Sequence, residues 1–275
     1  LKVQASIEGP ELGHYQDDIE QPTPATLRFS YDFSQHNQQI MPAPQLSAAR
    51  LDLIGEVLTE GVSLKPQVEG KWLWQDENSL VFMPEQAWPA GQHYEVTFSK
   101  DIFARDILLA QQQYQFSSQP LTADVNRLRF YQHPAEPGTR QVVATINFSQ
   151  PVDLAQAKQK LLMVMREDGS DHDAKPAQLE FTLTADKTGR ELYVQSEALT
   201  LPEHEQYLTL ELKNGVKARF GGASTGQTLT EQLLVPDKRS FLKVDELRAD
   251  IVRSPELEPE QMLLLSFTDR ISRTE

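Results

Sequence analysis

Leu80-Val81-Phe82-Met83-Pro84-Glu85-Gln86-Ala87-Trp88-Pro89-Ala90-Gly91-Gln92-His93-Tyr94-Glu95-Val96-Thr97-Phe98 reads as a strand, a turn region built on proline and glycine, and a second strand centred on Tyr94. A weaker copy follows in Leu192-Tyr193-Val194 and then Leu201-Pro202-Glu203-His204-Glu205-Gln206-Tyr207-Leu208-Thr209-Leu210. Leu192 lies 112 positions after Leu80, and Tyr207 lies 113 after Tyr94. Two copies of one unit at a fixed spacing indicate duplicated β-domains.

Upstream of the first copy, Ala25-Thr26-Leu27-Arg28-Phe29-Ser30-Tyr31-Asp32-Phe33-Ser34 alternates strictly. Strand side chains repeat every two residues, so Leu27, Phe29, Tyr31 and Phe33 share one face, and Arg28, Ser30 and Asp32 face water. The opening Leu1-Lys2-Val3-Gln4-Ala5-Ser6-Ile7 alternates in the same way, and a polar loop is expected over 8–24. Lys71-Trp72-Leu73-Trp74 and Leu80-Val81-Phe82 form a hairpin across a polar loop. Tyr114-Gln115-Phe116 closes the unit, and 117–123 is the first linker candidate.

The second unit repeats this order. Val142-Val143-Ala144-Thr145-Ile146-Asn147-Phe148-Ser149 is a strand whose Phe148-Ser149-Gln150 matches Phe33-Ser34-Gln35. A short helix is expected over 154–160 with Asp153 as its N-cap. Leu179-Glu180-Phe181-Thr182-Leu183-Thr184 and Glu191-Leu192-Tyr193-Val194 form the hairpin equivalent to the one at Trp72, and Leu233-Leu234-Val235 closes the unit. Val244-Asp245-Glu246-Leu247-Arg248 then repeats Val125-Asn126-Arg127-Leu128-Arg129 at a spacing of 119, and Phe267-Thr268-Asp269 repeats Phe148-Ser149-Gln150 at the same spacing. The expected architecture is all-β, with tandem antiparallel β-sandwich domains of an Ig-like or macroglobulin-like kind, each of about seven short strands. The expected boundaries are 1–119, 120–238 and 239–275, the last being the start of a third, truncated β-domain or a hairpin packed on the second.

Three of these elements together, Trp72-Leu73-Trp74, Leu80-Val81-Phe82-Met83-Pro84 and Trp88-Pro89-Ala90-Gly91-Gln92-His93-Tyr94-Glu95-Val96, resemble the N-terminal region of bacterial alpha-2-macroglobulins. The units beginning near Val125 and Val244 look like further macroglobulin-like domains of the same array. The resemblance implies a large protein of the periplasm or cell envelope of a Gram-negative bacterium. Such proteins trap proteases when an exposed bait region is cut and the arch collapses. Many members carry a Cys-x-Glu-Gln thioester that acylates the prey; this chain contains no cysteine and shows no long bait-like segment. The resemblance therefore implies a non-enzymatic scaffold whose partners are target proteases, met through the full-length parent, and other macroglobulin-like domains of the same chain. Ig-like stalk modules of a bacterial surface adhesin are the alternative reading, and accessory modules of a carbohydrate-processing enzyme are a third.

Composition narrows the chemistry. The 275 residues are 39% apolar and 24% charged, which marks a folded chain of roughly two domains. A formal charge of −14 opposes non-specific nucleic-acid binding, which needs clustered Lys and Arg, and opposes adsorption to anionic lipid. Without cysteine there are no disulfides, thiolate zinc sites or Cys nucleophiles. No apolar run reaches the ~18 residues of a spanning helix, so membrane association is expected only through an anchor on the parent. The absence of a basic-plus-apolar leader at Leu1 reads as a mature or excised segment.

No catalytic, cofactor-binding or metal-binding residues are assigned. His14, His36, His93, His133, His172 and His204 form none of the paired motifs of zinc proteases, and His93 and His204 read as exposed turn residues. Glu167-Asp168-Gly169-Ser170-Asp171-His172-Asp173 could be a weak calcium site or a solvated hairpin tip; its glycine is misplaced for an EF-hand loop. Asp17-Asp18 and the acidic run over 256–260 read as solvated loop charge. Gly221-Gly222-Ala223-Ser224-Thr225-Gly226 lacks the Gly-Lys-Ser/Thr of a phosphate loop and reads as a flexible turn. No Gly-x-Ser-x-Gly elbow is present. The sequon at Asn147-Phe148-Ser149 falls in an expected strand and reads as chance. Trp72, Trp74 and Trp88 could line a sugar-binding face, but their place on repeated strands favours core packing.

Overall fold

Ala25, Leu27 and Phe29 are buried while Arg28 and Ser30 are exposed, the alternation that the sequence dictates for a strand covered on one side. The computed structural model describes residues 2–11, 14–16, 19–31, 47–133, 139–167, 177–241, 243–255 and 257–267. Phe33, the expected loop over 41–44, and Thr268 and Asp269 lie outside the described residues.

The first sandwich contains β1 (Lys2–Glu8), a ribbon of β2 (His14–Gln16) and β3 (Ile19–Gln21), β4 (Ala25–Tyr31), β5 (Val57–Leu58), β6 (Val62–Lys65), β7 (Gly70–Trp74), β8 (Ser79–Pro84), β9 (His93–Phe98), β10 (Leu108–Leu109) and β11 (Gln113–Ser117). One sheet runs β10-β1-β4-β8-β7-β5 and the other β11-β9-β6. The second sandwich contains β12 (Ala123–Gln132), β13 (Arg140–Phe148), α1 (Leu154–Lys160), β14 (Leu161–Glu167), β15 (Ala177–Gln178), β16 (Phe181–Ala185), β17 (Glu191–Ser196), β18 (Gln206–Leu212) and β19 (Leu229–Val235). Its sheets run β12-β13-β17-β16 and β15-β14-β18-β19. After α2 (Lys238–Phe241) comes a hairpin of β20 (Val244–Arg253) and β21 (Pro259–Phe267).

Both sandwiches share a seven-strand frame: β1-β4-β8-β7 facing β6-β9-β11 in one, and β12-β13-β17-β16 facing β14-β18-β19 in the other. The duplication is thus topological. The first copy adds β5 and β10 at its edges, and the second adds β15. The expected loop over 8–24 also holds the β2–β3 ribbon, whose three-residue strands are too short to show an alternating pattern.

One repeat is out of step. Tyr94, Val96 and Phe98 point inward on β9, whereas Leu208, Leu210 and Leu212 point inward on β18. The burial-matched spacing is therefore 114 rather than the 113 that aligns the tyrosines. A one-residue slip sends a strand side chain to the opposite face, so Tyr94 is 2% exposed and Tyr207 is 38% exposed. In the preceding hairpins Leu80 and Leu192 are both buried, at the spacing of 112. The turn between the two strands absorbs the difference. The third repeat also shifts: Val125 sits opposite Ile146, but Val244 sits opposite Phe267, although both valines precede a bulge.

The two cores differ in material. The first is aromatic: Trp74 lies in edge contact with Phe103, Trp88 with Tyr94 and Phe116, and Tyr94 stacks on Phe116 at 5.2 Å. The second is aliphatic, built on Ile146, Met163, Leu192, Leu208 and Leu210. Asp153 caps α1 as expected, accepting from the backbone N–H groups of Ala155 and Gln156 at 2.8 and 3.1 Å. In the β16–β17 turn, Asp186 accepts from the backbone N–H groups of Thr188, Arg190 and Glu191 at 3.1, 3.0 and 3.0 Å. Burial pushes its carboxyl up, but the Thr188 hydroxyl and these N–H groups outweigh burial and hold it below the usual range. By contrast, burial pushes the Tyr94 phenol up to about 12, and its hydroxyl has no hydrogen-bond partner among the described residues.

Two substitutions test these assignments. Tyr94→Phe removes a buried, unpaired hydroxyl and is expected to raise stability by about 1 kcal/mol or leave it unchanged in urea denaturation; a loss of similar size would contradict the burial. Asp186→Ala is expected to cost about 1–3 kcal/mol at neutral pH. Because the folded-state pKa is depressed, that cost is full above the ordinary carboxylate range and shrinks as pH falls through the lowered value, where the neutral carboxyl keeps only its weaker bonds. Denaturation of the two proteins at pH 7 and in acid checks it.

Candidate functional site

The three tryptophans are core residues: Trp72, Trp74 and Trp88 are 7%, 0% and 5% exposed. The Trp88 indole donates to the Thr23 carbonyl at 2.7 Å. A sugar-binding tryptophan face is therefore excluded. His93 opens β9 and is exposed, and His204 is exposed in the turn before β18. His36, His172, Asp17, Asp18 and residues 168–173 of the acidic cluster lie outside the described residues, as does Glu256. Among the described residues no group of three or more His, Cys, Asp or Glu side chains is placed to hold a metal, and no helix is long and apolar enough to cross a membrane.

Surface depressions with polar side chains among the described residues include one on each sandwich. On the outer face of the β11-β9-β6 sheet, a hollow of about 300 Å³ is lined by Lys65, His93, Glu95 and Ser117. His93 Nδ1 and Ser117 Oγ are 2.6 Å apart. A hydroxyl beside an imidazole is half of a nucleophilic device; the other half is a group that orients the imidazole and donors for an oxyanion. Among the described residues no carboxylate contacts the imidazole, so the pair is a surface hydrogen bond. The larger hollow, about 440 Å³, lies on the outer face of β12-β13-β17 and is lined by Arg127, Arg129, Tyr131, Thr145, Tyr193 and Gln195. Glu191 accepts from the Tyr193 hydroxyl at 2.8 Å and pushes that phenol up. Its polar lining is two guanidiniums, two phenols, a threonine hydroxyl and an amide. In the third repeat, Glu246 replaces Arg127, and Arg248 pairs with Asp250 at 3.1 Å.

The most elaborate polar construction lies where the two sandwiches meet. The Ala90 N–H donates to the Gly221 carbonyl at 3.0 Å, and the Ala223 N–H donates to the Ala90 carbonyl at 2.7 Å. The Gly91 N–H reaches the Gln119 carbonyl at 2.9 Å. Ser118, 4% exposed, receives the Gln92 N–H on its hydroxyl at 2.9 Å and directs that hydroxyl at the Pro89 carbonyl. On the far side, the Gln150 amide donates to the Gln119 carbonyl at 3.0 Å, and the Ser149 hydroxyl donates to the Pro120 carbonyl at 3.2 Å. The linker expected over 117–123 is therefore stitched to both sandwiches, and the glycine loop expected to be a flexible turn is one wall of the junction. Sequence reading found Gly221, Gly222 and Pro89 as turn residues but gave no partner for them. Their contacts are backbone contacts, and no side-chain pattern records those.

The fold is that of tandem antiparallel β-sandwich modules. No family model matches the chain. It is 27% identical over 270 residues to the alpha-2-macroglobulin homolog of Yersinia pestis, a match covering 98% of this chain and 12% of that protein. It is 25% identical over 280 residues to the alpha-2-macroglobulin of Pasteurella multocida, covering 99% and 14%. A third match, 22% over 241 residues, is to the alpha-2-macroglobulin of Rickettsia conorii, covering 82% and 12%. Over nearly its whole length the chain is thus similar to a limited part of bacterial alpha-2-macroglobulins. It spans 12–14% of the length of these relatives.

If the His93–Ser117 contact is only a surface hydrogen bond, His93→Ala changes stability by no more than about 0.5 kcal/mol. Trp88→Ala, by emptying the aromatic core, costs about 3–5 kcal/mol. Thermal or urea unfolding of both variants checks the contrast.

Proposed function

We propose that this chain is a non-catalytic scaffold segment, from the N-terminal part, of a bacterial alpha-2-macroglobulin-like, broad-spectrum endopeptidase inhibitor that traps proteases in the cell envelope. The observation that carries this reading is the alignment of 98% of the chain with an alpha-2-macroglobulin homolog. Repeated sandwiches joined end to end support it, because such units build a shaped wall without any catalytic centre. In this reading the chain contributes form, and the proteolytic trigger and any covalent capture of prey belong to other parts of the parent. Its partners are target proteases, met through the intact parent, and neighbouring macroglobulin-like domains. The adhesin-stalk alternative is not favoured by these relatives.

The β20–β21 hairpin fits the same reading as the first two strands of a third sandwich. All nine residues of β21 are exposed, including Leu263, Leu264, Leu265 and Phe267. In the second sandwich the corresponding β13 is paired on its far edge by β17 and faces β14 and β18 across the core.

The test uses the intact parent mixed with a trypsin- or elastase-like protease, following cleavage of a large protein substrate and a small chromogenic peptide. Protection of the large substrate with continued cleavage of the peptide is the expected result, since a caged protease keeps a free active site. Loss of both activities would indicate inhibition at the active site, and no effect with several proteases would overturn the trap reading.

A further inference from the structure

We propose that the first two sandwiches form one rigid arm, locked by a backbone seam between the Pro89–Gly91 turn and the Gly221–Ala223 loop, and that the chain bends instead at the joint between Val235 and Val244. The inference stands on the geometry of this chain and does not depend on protease trapping.

The seam differs from an ordinary contact between neighbouring domains, which is modest in area and permits relative motion by default. Ala90 belongs by sequence to the first sandwich, yet it is 0% exposed and packs into the core of the second, with Leu121 of the linker beside it. It pairs with Gly222 as an isolated parallel β-bridge, which ties the turn to a loop of the neighbouring domain. The approach is close enough to require glycine: a Cβ on Gly222 would run into the Ala90 backbone N and O. The linker carbonyls of Gln119 and Pro120 are both taken up, one of them from two sides. Rotating one sandwich against the other would break these bonds together and pull Ala90, whose side chain lies in the second core, away from its partners.

The next joint is built differently. Beyond Val235 the contacts with the second sandwich include the Lys238 N–H on the Pro202 carbonyl at 3.0 Å and an ion pair of Lys238 with Glu203 that is 52% and 73% exposed. Exposed pairs of this kind are worth little. No strand of the second sandwich pairs with β20 or β21 among the described residues, and no hairpin residue enters the second core. Leu247 and Ile251 are exposed by more than half.

The chain has no cysteine, so paired spin labels can be placed by single cysteine substitutions at exposed sites. Labels at Lys71→Cys and Thr184→Cys bracket the seam; labels at Thr184→Cys and Glu246→Cys bracket the second joint. In the 275-residue chain the Lys71–Thr184 pair is expected to give one narrow distance distribution by pulsed electron resonance, and the Thr184–Glu246 pair a distribution at least twofold wider. Gly222→Val is expected to widen the Lys71–Thr184 distribution to the same degree, with strand content unchanged by circular dichroism. Gly221→Ala is the control: its φ of 84° is equally unfavourable to a side chain, but a Cβ there meets nothing within 4 Å, so the distribution should stay narrow. A wide Lys71–Thr184 distribution in the unsubstituted background, or a narrow one in Gly222→Val, overturns the seam. Should Gly222→Val unfold the second sandwich, the comparison of the two unsubstituted label pairs decides alone: equal widths reject the proposal.

Discussion

Burial of alternate side chains between two facing sheets fixes the register of both sandwiches, and most other features follow from it. Two sheets pack about 10 Å apart, which leaves room for one layer of inward side chains from each. Each strand must therefore present its apolar set to the same side throughout. β13 does so with Val142, Ala144, Ile146 and Phe148, and β9 with Tyr94, Val96 and Phe98. The same rule explains how the copies diverged. β18 carries a tyrosine one position before its inward set, and that tyrosine lies outside while Leu208 takes the buried place. Duplicated topology survives a change of core material, because the rule concerns parity rather than residue identity. Aromatic rings fill the first core and branched aliphatic chains the second.

What could be read from the sequence was whatever lies in periodicity. The strands around Leu27, Trp72, Phe82, Ile146, Leu183 and Val194, the hairpins joining them, and the cap at Asp153 all have local signals. The edge strands β5, β10 and β15 have none, since two residues cannot alternate twice. The tyrosine repeat misled for a related reason: matching by residue type ignores parity. The junction was hidden more completely. Ala90 looks like turn filler and Gly222 like slack, and only the fold shows that one occupies the space that the other leaves open. The polar hollow around Arg127 and Arg129 was equally invisible, because its residues come from three strands.

The seam bears on the proposed trapping role. A protein that changed shape to enclose a protease would need elements that keep theirs, and sandwiches joined through the Ala90 backbone bonds would be such elements. Ser118, Gln119 and Pro120, the residues between the two frames, belong to the packing of both. The hairpin beyond Val235 shows the opposite case, with an apolar face carrying Leu247, Leu263 and Leu265 turned to solvent.

Hydrogen–deuterium exchange of the backbone amides of Ala90, Gly91 and Ala223 tests the central claim most directly. If the sandwiches are one body, these turn amides exchange on the slow timescale of Leu208 and Leu210 in the second core, as expected for groups released only by global opening. Exchange as fast as that of the exposed turn at His204 would mean that the seam opens freely and that the two sandwiches are independent beads.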